Sequence, residues 1–149
     1  MPKTKTMDPV AVADALRPVI LRVGRELRRE ARAVGASPEQ VALLVSVKYQ
    51  PGIGIKELAE RERVSPPAMT TRVDRLERDG LVERRPSEED RRRVGVTLTD
   101  EGQRLLRRVR SRRTAWLAHR LGGLSAADQA AIEAAVGPLS RLLHEGEGR

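Results

Sequence analysis

Residues 54–102 read GIKELAERERVSPPAMTTRVDRLERDGLVERRPSEEDRRRVGVTLTDEG, and the signals in this stretch decide the fold. Residues 55–63 carry a short helical pattern, and Ser65 followed by Pro66 is typical of the start of another helix. That helix is expected to end at Gly80, because glycine adopts the left-handed conformation of a helix C-cap without strain. The stretch therefore predicts two helices separated by a tight turn.

The second of these helices has an apolar face and a polar one. Met69, Val73 and Leu76 recur at helical spacing, which is typical of core residues rather than of a cofactor site. We expect them to hold the helix against its neighbours. The other faces carry hydroxyl and basic side chains, namely Thr70, Thr71, Arg72, Arg75 and Arg78.

Two β-prone segments follow this helix. Residues 81–85 and 94–98 are joined by a polar loop over residues 86–93, which predicts a β-hairpin. Within the second segment Val94, Val96 and Leu98 alternate as a half-buried strand requires. A helix-turn-helix followed at once by a hairpin, or wing, presents a helix to the major groove of DNA and a wing to the adjoining groove. Both probes are basic here.

Helical patterns flank this stretch on both sides. An amphipathic pattern precedes it, a helix starts at Ser37-Pro38, and two more start near Thr99 and Ser125. The predicted fold class is mainly α (α+β), a winged helix-turn-helix domain with flanking N- and C-terminal dimerisation helices. We predict a single domain over residues 1–149, with a DNA-binding lobe over 38–102, dimerisation helices over 9–34 and 103–145, and frayed ends that include 145–149.

The chain is strongly basic and contains no cysteine. Its 29 Lys+Arg against 21 Asp+Glu give a formal net charge of +8 and a pI near 11.0, which favours a polyanionic partner. No apolar run approaches the roughly 20 residues that span a bilayer, and no hydrophobic signal core follows the start, so we expect a cytoplasmic protein with no membrane partner. The lack of cysteine excludes disulfides, thiolate metal sites and thiol redox switches.

No motif indicates catalysis or a bound cofactor. The sequence has no glycine-rich phosphate loop, no GxSxG and no plausible nucleophile–base pair, so an enzyme is not expected. His119 and His144 stand far apart in the sequence, without HExxH or clustered acids near them. We therefore expect neither a metal site nor another cofactor.

The two probes resemble those of one family. The run VSPPAMTTRVDRLERDGLVER over residues 64–84 is similar to the corresponding segment of the MarR family of bacterial regulators. The wing residues EDRRR over 89–93 and the following VTLTDEG over 96–102 match that family's pattern as well. The flanking helices also agree in number and order. The resemblance implies a DNA-binding transcription regulator.

The resemblance also implies which residues meet DNA. The second helix of the helix-turn-helix, which starts at Ser65 and which we call the recognition helix, would enter the major groove. The residues that face DNA there would be Ser65, Pro67, Ala68, Thr71, Arg72 and Arg75. In the wing, Asp90 would orient Arg92 into the minor groove, where a narrow groove concentrates negative potential. Arg91 and Arg93 extend this basic tip. An isolated arginine run is usually a solvated loop, but its place on a wing beside a recognition helix favours DNA contact.

Two further sets of residues have two interpretations each. Tyr49 and Trp116 line an effector cleft of the kind in which family members bind small aromatic or anionic molecules, or they simply pack in the core, which is the favoured interpretation. Two departures from the family are Gly54, where Ser or Thr commonly caps the helix, and an aromatic content of only 1%, which weakens the case for an aromatic ligand.

The predicted helix that starts near Thr99 carries a basic stretch, namely Arg104, Arg107, Arg108, Arg110, Arg112 and Arg113. These arginines either add contacts to DNA phosphates or form a solvated helix face, and we favour the solvated face.

The leading hypothesis is a sequence-specific repressor of transcription that binds a pseudo-palindromic operator in double-stranded DNA as a homodimer, with release by a small-molecule effector. One winged domain offers too few base contacts for useful specificity in a genome, and two copies double the site. Thin Leu/Val stripes on the flanking helices also favour a second subunit. The alternative is a sequence-independent architectural DNA-binding protein, which would bind every sequence with the same salt-dependent affinity.

Overall fold

The computed structural model describes residues 7–144, and side chains through residue 143. The predicted frayed ends therefore lie largely outside the described residues. The chain forms two compact units that adjoin in the sequence between Arg113 and Thr114. In chain order the elements are α1 (Pro9–Arg32), α2 (Pro38–Tyr49), β1 (Ile53–Gly54), α3 (Ile55–Arg61), α4 (Pro66–Arg78), β2 (Val82–Pro86), β3 (Val94–Leu98), α5 (Asp100–Gly122) and α6 (Ala126–His144).

The predicted fold class is confirmed. Helices dominate, and a small antiparallel sheet follows the two helices of the helix-turn-helix, α3 and α4. The first unit holds α1 to β3 and the beginning of α5, and the second holds the remainder of α5 and all of α6. The proposed boundaries of the DNA-binding lobe and of the dimerisation helices stay predictions.

Helix starts follow the predicted capping signals. Ser37 Oγ accepts a hydrogen bond from Gln40 N at 3.1 Å, and Gln40 Oε1 accepts one from Ser37 N at 3.0 Å, which completes a capping box before α2. Ser65 Oγ accepts from Ala68 N at 3.3 Å before α4. In both helices a proline occupies the first turn, where its missing N–H has no intrahelical acceptor to lose. The start of the recognition helix is therefore built from local sequence.

The sheet has one strand more than the predicted hairpin. Its order is β1-β3-β2, with both pairings antiparallel. The third strand, β1, has only two residues and pairs Ile53 with Val96. Val94 departs from the predicted alternation, since it is 49% exposed while Val96 is fully buried. Val94 pairs with Pro86 at the end of the ladder next to the wing loop, where the strand leaves the core.

The core of the first unit lies beneath α4. Met69 and Val73 are fully buried and Leu76 is almost so, which confirms their predicted role. They pack with the inward residues of α3, which include Leu58, and with Val96 of the sheet. Fully burying a side chain of this size contributes roughly 1.5–3 kcal/mol. The side of α4 that carries Thr70, Thr71 and Arg75 is exposed.

A compact joint connects α4 to the wing. Gly80 has a φ of +74°, and Leu81 N donates to Leu76 O at 2.9 Å, so the chain turns sharply out of the helix. Thr99 Oγ1 donates to Gly80 O at 2.5 Å and accepts from Gly102 N at 3.1 Å. One hydroxyl therefore ties the turn after α4 to the first turn of α5.

Each unit has an uncovered apolar surface. On α1 the exposed residues include Val12, Val19 and Ile20, although they belong to the predicted amphipathic stripe. On α6, Ile132, Val136, Leu139 and Leu143 share one helical face, and all four are exposed. Among the residues that the structure describes, no helix is long and apolar enough to cross a membrane.

Candidate nucleic-acid interface

The outer side of α4 presents the residues that the family resemblance assigns to DNA. Arg75 is exposed, and Arg72 is half-buried against the body of the domain. Thr71 is also exposed, with its hydroxyl donating to Pro67 O at 3.2 Å. The other members of the predicted set are exposed at the N-terminal end of the helix, namely Ser65, Pro67 and Ala68. The helix thus brings all six predicted residues to one segment of about three turns.

The two recognition-helix arginines are available for a ligand. Within residues 7–143, no acidic side chain lies within ion-pair distance of Arg72 or Arg75. The acids of the same helix, Asp74 and Glu77, are engaged elsewhere, by Arg84 of the adjacent strand. A guanidinium without a partner can donate a bidentate pair of hydrogen bonds to a guanine edge or a phosphate.

The wing loop is ordered by Asp90. Its Oδ1 accepts a hydrogen bond from Arg92 N at 3.0 Å, and its backbone carbonyl accepts one from Arg93 N at 2.9 Å. At the base of the loop, Ser87 N donates to Arg93 O at 2.7 Å. The aspartate therefore fixes the backbone of the tip, as Asp side chains do in turns.

The guanidinium groups of the wing point to solvent. Arg91, Arg92 and Arg93 are all exposed. The carboxylate of Asp90 lies 3.9 Å from Arg93 Nε, which is a long and exposed ion pair. The family pattern implies that Asp90 orients the Arg92 side chain, but here Asp90 contacts Arg92 through the backbone N–H. A role of Arg92 in the minor groove stays a prediction.

Arg84 of β2 connects the helix to the wing. Its Nη2 lies 2.6 Å from Asp74 Oδ1, and its Nη1 lies 2.9 Å from Glu77 Oε1. Arg84 N also donates to Glu77 Oε2 at 3.1 Å. Burial alone would lower the pKa of Arg84, but the hydrogen bond to Asp74 and the charges of Glu77 and Asp74 outweigh it and raise the pKa above its ordinary value. Sequence reasoning missed this group, because only the fold brings β2 beside α4.

The basic stretch of α5 divides into paired and unpaired arginines. Arg112 pairs with Glu30 of α1 at 3.0 Å, and Arg113 Nε donates to Leu27 O at 3.0 Å. Partial burial and the charge of Arg28 lower the pKa of Arg113. Arg104 pairs with Glu101 on its own helix. The contacts of Arg112 and Arg113 attach α5 to α1, whereas the Arg104 pair stays within one helix. Among the described residues, no acidic side chain lies within ion-pair distance of the other three, Arg107, Arg108 and Arg110.

The two aromatic residues lie in different surroundings. Tyr49, at the end of α2, is 81% exposed, so the favoured interpretation as a core residue is wrong for this side chain. Trp116 belongs to the second unit and is partly buried, with the Arg120 guanidinium carbon 5.4 Å from its ring centroid, a cation–π geometry. Neither residue lines the cavity that the first unit forms between α2, β3 and α5, and their assignment to an effector cleft stays a prediction.

A cavity of about 440 Å³ lies in the first unit between α2, β3 and α5. Its lining includes the apolar residues Val47, Leu98 and Leu106. The same lining contains three cations and no acid among the described residues, namely Lys48, Arg107 and Arg110. Sequence reasoning missed this cavity, because its lining comes mainly from three separate elements. Across the described residues, no group of three or more His, Asp or Glu side chains could hold a metal ion.

Known proteins share this arrangement. The model of the MarR family matches residues 36–94. The HTH-type transcriptional repressor MdtR of Bacillus subtilis is 32% identical over 111 residues, which cover 74% of this chain and 72% of the repressor. An HTH-type transcriptional regulator of Mycobacterium bovis is 31% identical over 134 residues, which cover 90% of this chain and 94% of the regulator. A solved structure from Pseudomonas aeruginosa, described as a transcriptional regulator, is 31% identical with a TM-score of 0.78 and covers 90% of this chain and 94% of that one.

Proposed function

The chain belongs to the MarR family and is a DNA-binding transcriptional regulator, and on that premise we propose that it is a repressor that binds a pseudo-palindromic operator as a homodimer and leaves it when a small-molecule effector binds. The observation that carries this proposal is the pairing of an exposed, arginine-bearing helix face with an ordered basic wing. The helix supplies major-groove contacts and the wing supplies minor-groove and phosphate contacts.

Repression is supported by the B. subtilis relative, which is named a repressor. A protein that occupies a site overlapping a promoter blocks transcription without needing any contact to the polymerase. The proposed readers of base edges are Arg72 and Arg75, and the proposed minor-groove contact is Arg92. Ser65, Pro67, Ala68 and Thr71 would approach the bases and the backbone between them.

The uncovered apolar faces support a homodimer. The α6 face with Val136, which is 59% exposed, and the α1 face with Ile20 would each expose Leu, Val or Ile side chains to water in a monomer. Exposed apolar patches of this kind mark association sites. In a symmetric dimer each face would be covered by the partner, and two recognition helices would meet two half-sites.

The cavity between α2, β3 and α5 is the proposed effector site. Its volume falls in the range of small-molecule sites, roughly 300–1,000 Å³. Lys48, Arg107 and Arg110 favour an anion, and the apolar wall favours an organic body attached to it. A ligand there would contact β3, the second strand of the wing, and α5, so its binding can change how the wing is held. The proposed effector is therefore a small organic anion.

The function is tested by selection of DNA from a random pool with the purified protein, followed by sequencing. The expected product is an inverted repeat. Binding to that site and to a scrambled duplex is then compared across a salt titration. A specificity ratio above about a thousand at physiological salt excludes the architectural alternative, whereas equal affinity for both duplexes supports it and contradicts the proposal.

The effector site has a separate test. Operator release is titrated with benzoate and with benzamide, which has the same shape and no charge. Release is expected with benzoate only, and it should weaken in Arg107→Ala and Arg110→Ala. Arg108→Ala, one position from Arg107 but not in the cavity lining, is the matched control. Equal behaviour of the three variants would contradict this site.

A further inference from the structure

A polar link between the two DNA probes is the group formed by Arg84, Asp74 and Glu77, which we call the Arg84 bridge. The arginine is on β2 of the wing, and both acids are on α4, one turn apart. Its guanidinium contacts a carboxylate oxygen of each acid, and the second oxygen of Glu77 accepts from the backbone N–H of the same arginine. The bridge therefore involves the backbone of the wing as well as a side chain.

We propose that Arg84 is a positioning residue for DNA recognition, which fixes the wing at one angle to the recognition helix through Asp74 and Glu77. The inference rests on the proposed function, because it assigns to the wing a share of operator binding. It adds a residue that touches no DNA to the set that determines specificity. Its effect on DNA is exerted through the wing arginines.

The contrast with the next residue supports this role. Arg84 has only 26% of its side chain exposed and reaches a different element, whereas Arg85 is 67% exposed and pairs with Glu83 on its own strand. An exposed ion pair between two residues of one strand restrains no second element and contributes little to stability. A guanidinium that engages two carboxylates at 2.6 and 2.9 Å uses its planar fork to restrict both distance and orientation.

The geometry of the strand edge adds a second restraint. Along β2 one edge pairs with β3. The N–H of Arg84 instead points to α4, where Glu77 Oε2 accepts it at 3.1 Å. A shift of the wing along the helix would break this hydrogen bond and both ion pairs together. The bridge thus resists both sliding and tilting of the wing.

A purely electrostatic role predicts a different outcome. If Arg84 only neutralised two carboxylates near DNA, the removal of those carboxylates would strengthen operator binding, because phosphates would meet less negative charge. If Arg84 positions the wing, the removal of the carboxylates breaks the bridge and weakens specific binding. The double variant Asp74→Ala, Glu77→Ala distinguishes the two, since alanine removes the charges and the hydrogen-bond acceptors together, whereas Asn and Gln would still accept from Arg84.

The experiment uses the full-length protein and the selected operator, with Arg85→Ala as the control for the loss of one positive charge. We expect Arg84→Ala and the double carboxylate variant each to lower the ratio of operator to scrambled-DNA affinity about tenfold, and Arg85→Ala to leave it within about threefold. In an Arg92→Ala background the extra effect of Arg84→Ala should vanish, since the wing contact is already lost. Hydroxyl-radical protection of the minor groove beside each half-site should fade in Arg84→Ala.

Three outcomes would overturn the proposal: equal ratios for Arg84→Ala and Arg85→Ala, a higher ratio for the double carboxylate variant, or an Arg84→Ala effect that persists in full beside Arg92→Ala. If the parent protein itself prefers no sequence, the proposed function fails instead, before any variant is made. Circular dichroism and a thermal melt establish folding of each variant. If Arg84→Ala does not fold, the double carboxylate variant alone tests the proposal: a lower ratio of operator to scrambled-DNA affinity supports it, and an equal or higher ratio contradicts it.

Discussion

The carboxylate of Asp90 holds the backbone of Arg92, with 3.0 Å between Asp90 Oδ1 and Arg92 N. The hydrogen bond fixes the loop, whereas the guanidinium of Arg92 stays exposed and without an ion-pair partner within the described part of the chain. Order and charge at the wing tip are thus supplied by different residues. This division leads to different expectations for substitutions at the two positions.

Arg92→Ala should weaken operator binding and lower its salt slope by about one unit per half-site, if one phosphate-neutralising charge is lost. Asp90→Ala keeps every wing arginine, so it should weaken binding through disorder of the loop, with little fall in the salt slope. Salt titrations of operator binding measure both. Glu88→Ala removes a nearby exposed acid but leaves the Asp90 hydrogen bond in place, so it should bind at least as tightly as the parent. Parent-like binding by both Arg92→Ala and Asp90→Ala would show that the wing does not contact DNA.

Arg72→Ala and Arg75→Ala should each relax base preference by about 1–3 kcal/mol per half-site, if the side chain forms a bidentate contact with a purine. Competition among single-base operator variants measures this preference. Arg78→Ala is the control at the end of the same helix, where a phosphate contact should weaken binding to all sequences alike. A substitution of Arg72 or Arg75 that leaves the base preference unchanged would indicate phosphate anchoring at that position.

The sequence predicted the helix-turn-helix because its signals are local. Capping hydroxyls at Ser37 and Ser65 and an apolar stripe ending at Leu76 depend on neighbours within a few residues. By contrast, β1 is two residues long and has no period to detect, so it becomes a strand only because Val96 lies opposite Ile53. The Arg84 bridge also depends on contacts between separate elements, so the sequence pattern did not predict it. Its two acids lie seven and ten positions before Arg84, on α4.

The apolar face of α6 gives a prediction about assembly. Val136→Glu or Leu139→Glu places a charge on the exposed apolar face and should shift a homodimer towards monomer at micromolar concentration, because a buried unpaired carboxylate is costly. Ala134→Glu adds the same charge on the opposite side of the helix, by the 100° step per residue, and should leave the dimer intact. Sedimentation equilibrium measures the mass. A monomeric parent protein, or equal dissociation by Ala134→Glu, would contradict an interface on this face.

The joint behind the wing gives a prediction about stability. A Cβ at Gly102 would overlap the Leu81 carbonyl, whose carbon would lie only 3.1 Å away and whose oxygen already accepts a hydrogen bond from Thr99 N. Gly102→Ala should therefore lower the free energy of unfolding by about 1–3 kcal/mol, as overpacking does. In Gly122→Ala, at the other end of α5, the added Cβ meets nothing within 4 Å, so this variant should be neutral or up to about 1 kcal/mol more stable. Urea unfolding at one fixed protein concentration measures both. Leu81 leads directly into β2, so we also expect folded Gly102→Ala protein to bind the operator less tightly. Equal stability of Gly102→Ala and Gly122→Ala would show that the backbone around Leu81 accommodates the added Cβ without loss of stability.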